Sequence, residues 1–229
     1  ESMASLSLGP AHIDIGKMVL KRQRQEDSRT VEEFVREELA DIIQSDIKPL
    51  PQAQDVVLYG FGRIGRLVAR LLVEKAGGGD VLRLKAIVIR KSKAANDLEK
   101  RAALLRRDSV HGSFKGTIRV LEEENVLVIN GNPVKVIYAN APSEVDYTEY
   151  GISNAIVVDN TGVWRDEEGL RGHLRPGASK VILTAPGKGD IPNIVYGIND
   201  HEITPDREVV SAASCTTNAI VPILKCLLD

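Results

Sequence analysis

Val56-Val57-Leu58-Tyr59-Gly60-Phe61-Gly62-Arg63-Ile64-Gly65 is the stretch that decides the fold. Its first four residues form a short apolar run suited to a strand. Behind it Ile64, Leu67, Val68, Leu71 and Leu72 recur at helical spacing, so a helix with these residues on its buried face is expected. A G-x-G-x-x-G sequence alone is a weak signal, but a strand before it and a helix after it make it a dinucleotide fingerprint. Gly60 suits the tight turn, Gly62 lets the backbone approach a pyrophosphate, and Gly65 lets helix and strand pack closely. The first amides of the helix, with their partial positive charge, complete an anion cradle.

Outward from this turn the chain alternates. Residues 82–89 read as a second buried strand, after a helix stop at Gly77-Gly78-Gly79. Leu98, Ala102 and Leu105 mark a helix. Strands follow at 117–121, 126–129 and 134–138, the last two joined by the turn signal Asn130-Gly131-Asn132. Further strands are expected at 155–158, 181–183 and 209–211, with a helix near 167–173. This pattern predicts an α/β fold: a Rossmann-type, doubly wound, mostly parallel sheet with helices on both faces. Residues 55–229 would be this dinucleotide-binding domain. Residues 1–54 differ and would form a partly helical extension. There, residues 13–20 are weakly amphipathic and Thr30-Val31-Glu32-Glu33 reads as a capping box. Val31, Phe34, Val35, Leu39, Ile42 and Ile43 share one face of a helix that should end before Pro49 and Pro51.

The 229 residues carry 30 Lys+Arg against 32 Asp+Glu, a net charge of −2, with 43% hydrophobic residues. That balance suits a soluble globular chain and argues against nucleic acid as the main partner. No apolar run approaches the roughly 20 residues that span a bilayer, so no membrane partner is expected. Two cysteines, Cys215 and Cys226, are too few for a disulfide framework or a cysteine-based metal site, and a reducing, cytoplasmic setting is the default.

Two further stretches bear on chemistry. An NAD site places an Asp or Glu at the end of the second strand to bond the ribose 2′-hydroxyl. Here the strand ends Ile89-Arg90-Lys91-Ser92-Lys93, with no carboxylate. Arg90 and Lys91 could pair with a 2′-phosphate instead, so NADP is expected to be tolerated or preferred. Near the C-terminal end, Ser214-Cys215-Thr216-Thr217-Asn218 lies between a strand and an apolar helical run. Cys215 therefore sits at a helix N-terminus, where free amides favour the thiolate as a nucleophile. Cys226, further along that helix, is expected to be buried and inert.

Taken together, these stretches resemble glyceraldehyde-3-phosphate dehydrogenase. The resemblance runs from about residue 55 to 229. It rests on Gly60 to Arg66, on Arg107 to Gly116 (including Asp108-Ser109-Val110-His111-Gly112), on Asn160-Thr161-Gly162-Val163-Trp164, on Thr184 to Asp190, and on Ala213 to Asn218. It implies NAD or NADP as cofactor, with Gly60, Gly62 and Gly65 at the turn. The backbone amides of Arg63 and Ile64 would lie on the pyrophosphate, and Thr161, Gly162 and Thr184 would line the cleft. It implies Cys215 as nucleophile toward glyceraldehyde 3-phosphate, with Ser214 and Thr216 in the site of the attacking inorganic phosphate. No metal is implied. The full-length protein would be a homo-oligomer. His111 is read as a turn histidine.

The chain departs from the family pattern at Tyr59 (usually Asn), at Arg90, at Thr184 (usually Ser) and in its N-terminal extension. The family's general-base histidine lies beyond the cysteine, whereas His12, His111, His173 and His201 all precede Cys215. The chain is therefore expected to be a cofactor-binding fragment without the second, catalytic domain, and poorly active alone. Erythrose-4-phosphate dehydrogenase of the same family and a non-catalytic dinucleotide-binding module remain the alternatives.

Overall fold

In the computed structural model, residues 3, 6, 13–24, 28–43, 53–75, 81–92 and 96–228 are described. The expected glycine stop at 77–79, the prolines at 49 and 51, His12 and Lys93 lie outside them. The chain divides into two compact units, residues 1–53 with 74–81 and residues 54–73 with 82–229.

The larger unit is built on one eight-stranded sheet. In chain order its strands are β1 (Gln54–Tyr59), β2 (Leu82–Ile89), β5 (Ile118–Leu121), β6 (Val126–Ile129), β7 (Asn132–Tyr138), β8 (Ala155–Asp159), β9 (Ala178–Leu183) and β10 (Val209–Ser211). Their spatial order is β10-β9-β8-β1-β2-β7-β6-β5. The strands from β10 to β7 run parallel, and β6 and β5 continue the sheet antiparallel. A small hairpin of β3 (Arg107–Asp108) and β4 (Gly112–Ser113), not expected from the sequence, stands apart. The β6–β7 turn is the anticipated one: Asn130 and Gly131 have φ of 47° and 85°, between the paired residues Ile129 and Asn132. Positive φ at both central positions matches the twist of the flanking strands.

Both faces of the sheet are covered. On one, Val56, Leu58, Leu84, Ile87 and Leu127 pack against α4 (Arg63–Lys75) and α5 (Asp97–Arg106). On the other, Val57, Tyr59, Ala86 and Val88 meet Val145, Tyr147 and Ile152. There also α6 (Glu167–Arg171) sets Leu170 against Val181, Leu183 and Val209. The buried stripe of α4 differs from the expected one. Gly65, Ala69, Arg70 and Val73 are buried, while Ile64 and Leu71 are exposed. Gly65 abuts the Gly60 carbonyl and sets the helix's rotation there, while the expected Val68 and Leu72 are half-buried against the core. Buried Arg70 donates to the Leu105 carbonyl at 2.6 and 3.0 Å and to the Gly112 carbonyl at 2.9 Å, fastening the end of α5 and β4.

The smaller unit holds α1 (Ile15–Arg24), α2 (Val31–Glu38) and α3 (Ala40–Ile43). The capping box is present in both halves: Glu33 N donates to Thr30 Oγ1 at 3.2 Å, and Thr30 N donates to Glu33 Oε2 at 2.9 Å. The expected single helix is interrupted at Leu39. Phe34, Val35 and Leu39 form the core of this unit with Ile13 and Met18, and Val31 is exposed instead. Among the described residues no helix is long and apolar enough to cross a membrane.

Candidate functional site: a glycine-lipped cleft and a cysteine turn

The turn between β1 and α4 is shaped by its glycines. Gly60 has φ of +90°, and a Cβ there would stand 2.7 Å from Thr161 Cγ2. A Cβ on Gly65 would lie 2.3 Å from the Gly60 carbonyl oxygen. Gly62 differs, since a Cβ on it would meet nothing within 4 Å. Two glycines are thus demanded by packing and the third borders open space. The first amides of α4, those of Arg63, Ile64 and Gly65, lack intrahelical partners by helix geometry. The backbone ladder starts with Arg66 N donating to Gly62 O at 3.1 Å. Free amides beside open space at Gly62 fit a pyrophosphate.

The cleft beside the cradle measures about 350 Å³, within the usual range for small-molecule sites. Gly60, Phe61 and Gly62 form its lip, Val88, Ile89 and Ala139 its apolar wall, and Tyr59, Thr161, Val163 and Trp164 its far side. Two cations, Arg90 and Arg101, line its end. The cleft sits where strand order reverses, between β1 and β8, the position at which parallel sheets open a crevice.

The wall after β8 is pinned by Asp159. Its Oδ1 accepts from Thr161 N and from Thr161 Oγ1, both at 2.6 Å. Its Oδ2 lies 3.2 Å from Nε2 of His173, and both residues are fully buried. The imidazole stands edge-on to Tyr59 (centroids 4.6 Å apart) and to Trp164 (5.1 Å). Burial first, and then the Asp159 charge, pushes the Tyr59 phenol up to about 12.

The sequence-predicted residues distribute as follows. Gly60, Gly62, Arg90 and Thr161 line the cleft, and Arg63, Ile64 and Gly65 follow directly in α4. Lys91 stands beyond it, with its ammonium 5.6 Å over the Tyr138 ring. Gly162 (φ +64°) and Thr184 do not line the cleft. Thr184 Oγ1 donates to the Asp159 carbonyl at 3.0 Å, tying the ends of β9 and β8 together. Arg101, Trp164 and the His173–Asp159 pair are site features that motif reading missed. An aspartate closing the apolar run of β8 is the one signal in the sequence that could have flagged the pair. His111 sits in the β3–β4 turn with Nδ1 3.0 Å from Asp108 Oδ1.

Cys215 is the first residue of α7 (Cys215–Leu228) and is exposed. The turn that carries it is braced. Ala213 has φ of +58°, Ser214 Oγ caps the helix by accepting from Thr217 N at 3.0 Å, and Asn218 Nδ2 donates to the carbonyls of Ala212 (2.8 Å) and Ser214 (2.9 Å). Thr216 is exposed next to the cysteine. None of Ser214, Cys215 and Thr216 lines the cleft. All share its edge, however, because β1, β2, β8, β9 and β10 are parallel and end on the same side. β10 lies three strands from β1, roughly 14 Å across the sheet. Contrary to expectation, Cys226 is exposed: α7 buries none of its residues, so among the described residues no packed face is there to cover the thiol.

Residues 54–167 match the family described as glyceraldehyde 3-phosphate dehydrogenase, NAD binding domain. The chain carries the NAD-binding domain of the glyceraldehyde-3-phosphate dehydrogenase family. A glyceraldehyde-3-phosphate dehydrogenase-like protein of Pseudomonas aeruginosa (strain UCBPP-PA14) is 58% identical over 230 residues, covering 100% of this chain and 50% of its own. Glyceraldehyde-3-phosphate dehydrogenase of Thermotoga maritima is 38% identical over 172 residues, covering 75% of this chain and 48% of its own. The chloroplastic glyceraldehyde-3-phosphate dehydrogenase A of Zea mays is 38% identical over 172 residues, 75% of this chain and 40% of its own. The chain spans about half the length of the curated relatives it matches. The Pseudomonas relative aligns along the N-terminal unit as well.

Proposed function

We propose that this chain is the cofactor-binding half of a phosphorylating glyceraldehyde-3-phosphate dehydrogenase. The observation that carries the reading is a shared edge: the open cradle at Gly62 and the exposed Cys215 both follow carboxyl ends of parallel strands. Arg63 and Ile64 hold the pyrophosphate through their amides. Thr161, braced by Asp159, orients the ribose side, with Gly162 and Thr184 next to it. Arg90 and Lys91 recognise a 2′-phosphate, so NADP binds at least as well as NAD.

Cys215 Sγ forms a bond to the aldehyde carbon of glyceraldehyde 3-phosphate, and the carbonyl oxygen takes a proton, giving a hemithioacetal. The nicotinamide ring, when bound, supplies the hydride acceptor that converts this adduct to a thioester. An inorganic phosphate oxygen then attacks the thioester carbonyl, the C–S bond breaks, and 1,3-bisphosphoglycerate leaves with Cys215 as thiolate. Thr216 and Ser214 lie where that phosphate arrives. Ser214 Oγ is shared with the helix cap, so Thr216 is the freer donor. No histidine follows Cys215 in these 229 residues. A positioned general base is worth about 10²–10⁴ in rate, so this chain alone turns over slowly. The full-length protein is read as a cytoplasmic homo-oligomer.

The test is alkylation by iodoacetamide followed by mass spectrometry. Both cysteines are exposed, so exposure does not separate them. A faster rate at Cys215 than at Cys226, slowed by saturating cofactor and absent in Cys215→Ser, is the expected result. Equal rates at the two thiols would remove the nucleophile from the proposal.

A further inference from the structure

We infer that Arg101 is a second anion-binding residue of the cleft, held by Asp97 to receive the 2′-phosphate of a dinucleotide. This rests on the reading that the cleft accepts NADP, and it adds a residue on a different element from the strand end that suggested it.

Arg101 is on α5 and lines the cleft beside Arg90, Ile89 and Ala139. Two bonds fix its guanidinium. Nε donates to Asp97 Oδ2 at 3.0 Å, and Nη2 donates to the Arg90 carbonyl at 3.0 Å. Asp97 is itself buried at 8% exposure. The Nη1 edge has no protein partner among the described residues. A planar fork whose orientation is set before ligand arrives loses little freedom on binding a phosphate. The same geometry engages Asp97. A carboxylate open to the cleft would repel a 2′-phosphate, whereas Asp97 is buried and turned to Arg101. The bond to the Arg90 carbonyl also joins α5 to the end of β2, so the two cations form one unit suited to a dianion.

The experiment is calorimetric titration of this chain with NADP, NAD, adenosine 2′,5′-bisphosphate and AMP. In Arg101→Met, NADP and the bisphosphate should bind about tenfold more weakly or worse, with NAD and AMP within about twofold. Asp97→Asn keeps the guanidinium and loosens it, and should fall between wild type and Arg101→Met for NADP alone. Should the Met variant not fold, Arg101→Lys decides the same question, with NADP weakened about threefold or more and NAD unchanged. If wild type binds NAD tenfold tighter than NADP, the cofactor reading itself fails. If wild type prefers NADP but Arg101→Met leaves the preference intact, or weakens both cofactors equally while Arg90→Ser abolishes it, the assignment of Arg101 is overturned and the cofactor reading stands.

Discussion

Gly65 sits so close to Gly60 that a Cβ on residue 65 would lie 2.3 Å from the Gly60 carbonyl oxygen. The contact is backbone against backbone, so no flexible side chain can yield. It fixes where α4 starts relative to β1, and it aims the first-turn amides at the space beside Gly62. The cradle follows from a packing constraint five residues long.

That geometry separates two substitutions of the same kind. Gly65→Ala should cost about 1–3 kcal/mol, because the helix start must move. For a chain of this size this is a drop of several degrees in melting temperature, with weaker cofactor binding as well. Gly62→Ala meets nothing within 4 Å, so it should melt near wild type and lose cofactor affinity because its methyl enters the pyrophosphate space. Melting curves with and without NADP check both.

The Asp159–His173 pair couples stability to the cleft wall. Asp159→Ala leaves a buried imidazole without its partner and frees Thr161 N and Oγ1. Leaving a buried polar group without its hydrogen-bond partner typically costs about 1–3 kcal/mol. The unfolding midpoint in urea should fall accordingly. A second effect, weaker cofactor binding, should appear in calorimetry under conditions where the variant is still folded.

Tyr59 predicts an alkaline slope. Its phenol is raised from 10.0 to about 12, so ionisation is easier in the unfolded chain. The stabilisation is complete below pH 10 and is lost as pH rises through 12. Two units correspond to about 3 kcal/mol. Tyr59→Phe should flatten the stability profile between pH 10 and 12, measured by urea unfolding against pH. Tyr147, also raised by burial, leaves a residual slope in the same direction. At neutral pH Tyr59→Phe should cost little, since the buried hydroxyl has no partner among the described residues.

α7 predicts association. Ile223, Leu224 and Leu227 are 62%, 50% and 77% exposed on one helix, and contiguous exposed apolar surface favours contact with other copies. Sedimentation velocity of this chain should show mass rising with concentration. Ile223→Glu with Leu227→Glu should suppress it while changing unfolding free energy by less than about 0.5 kcal/mol, because neither side chain is buried.

Local features were legible in the sequence wherever a short stretch carries its own physical reason. The capping box at Thr30 and Glu33 and the positive-φ turn at Asn130 and Gly131 are complete within four residues. Legibility failed where two readings share one local pattern. On α4 the spacing allowed a stripe through Ile64 and Leu71 as well as one through Gly65, Ala69 and Val73, and the choice fell to the sheet lying against it. A cysteine with no chemical neighbours reads as a buried, inert thiol, but residue type does not say whether anything covers the helix that carries Cys226, and it is exposed.

From the order of residues alone came the alternating strands and helices, the glycine turn and the cysteine at a helix start, since each depends on neighbours in the chain. Tertiary structure alone decided that Arg101 joins Arg90, that Asp159 meets His173, and that the cradle and the cysteine share the same edge. Those relations join residues 11 to 155 positions apart, and only the closing of the sheet brings them within reach.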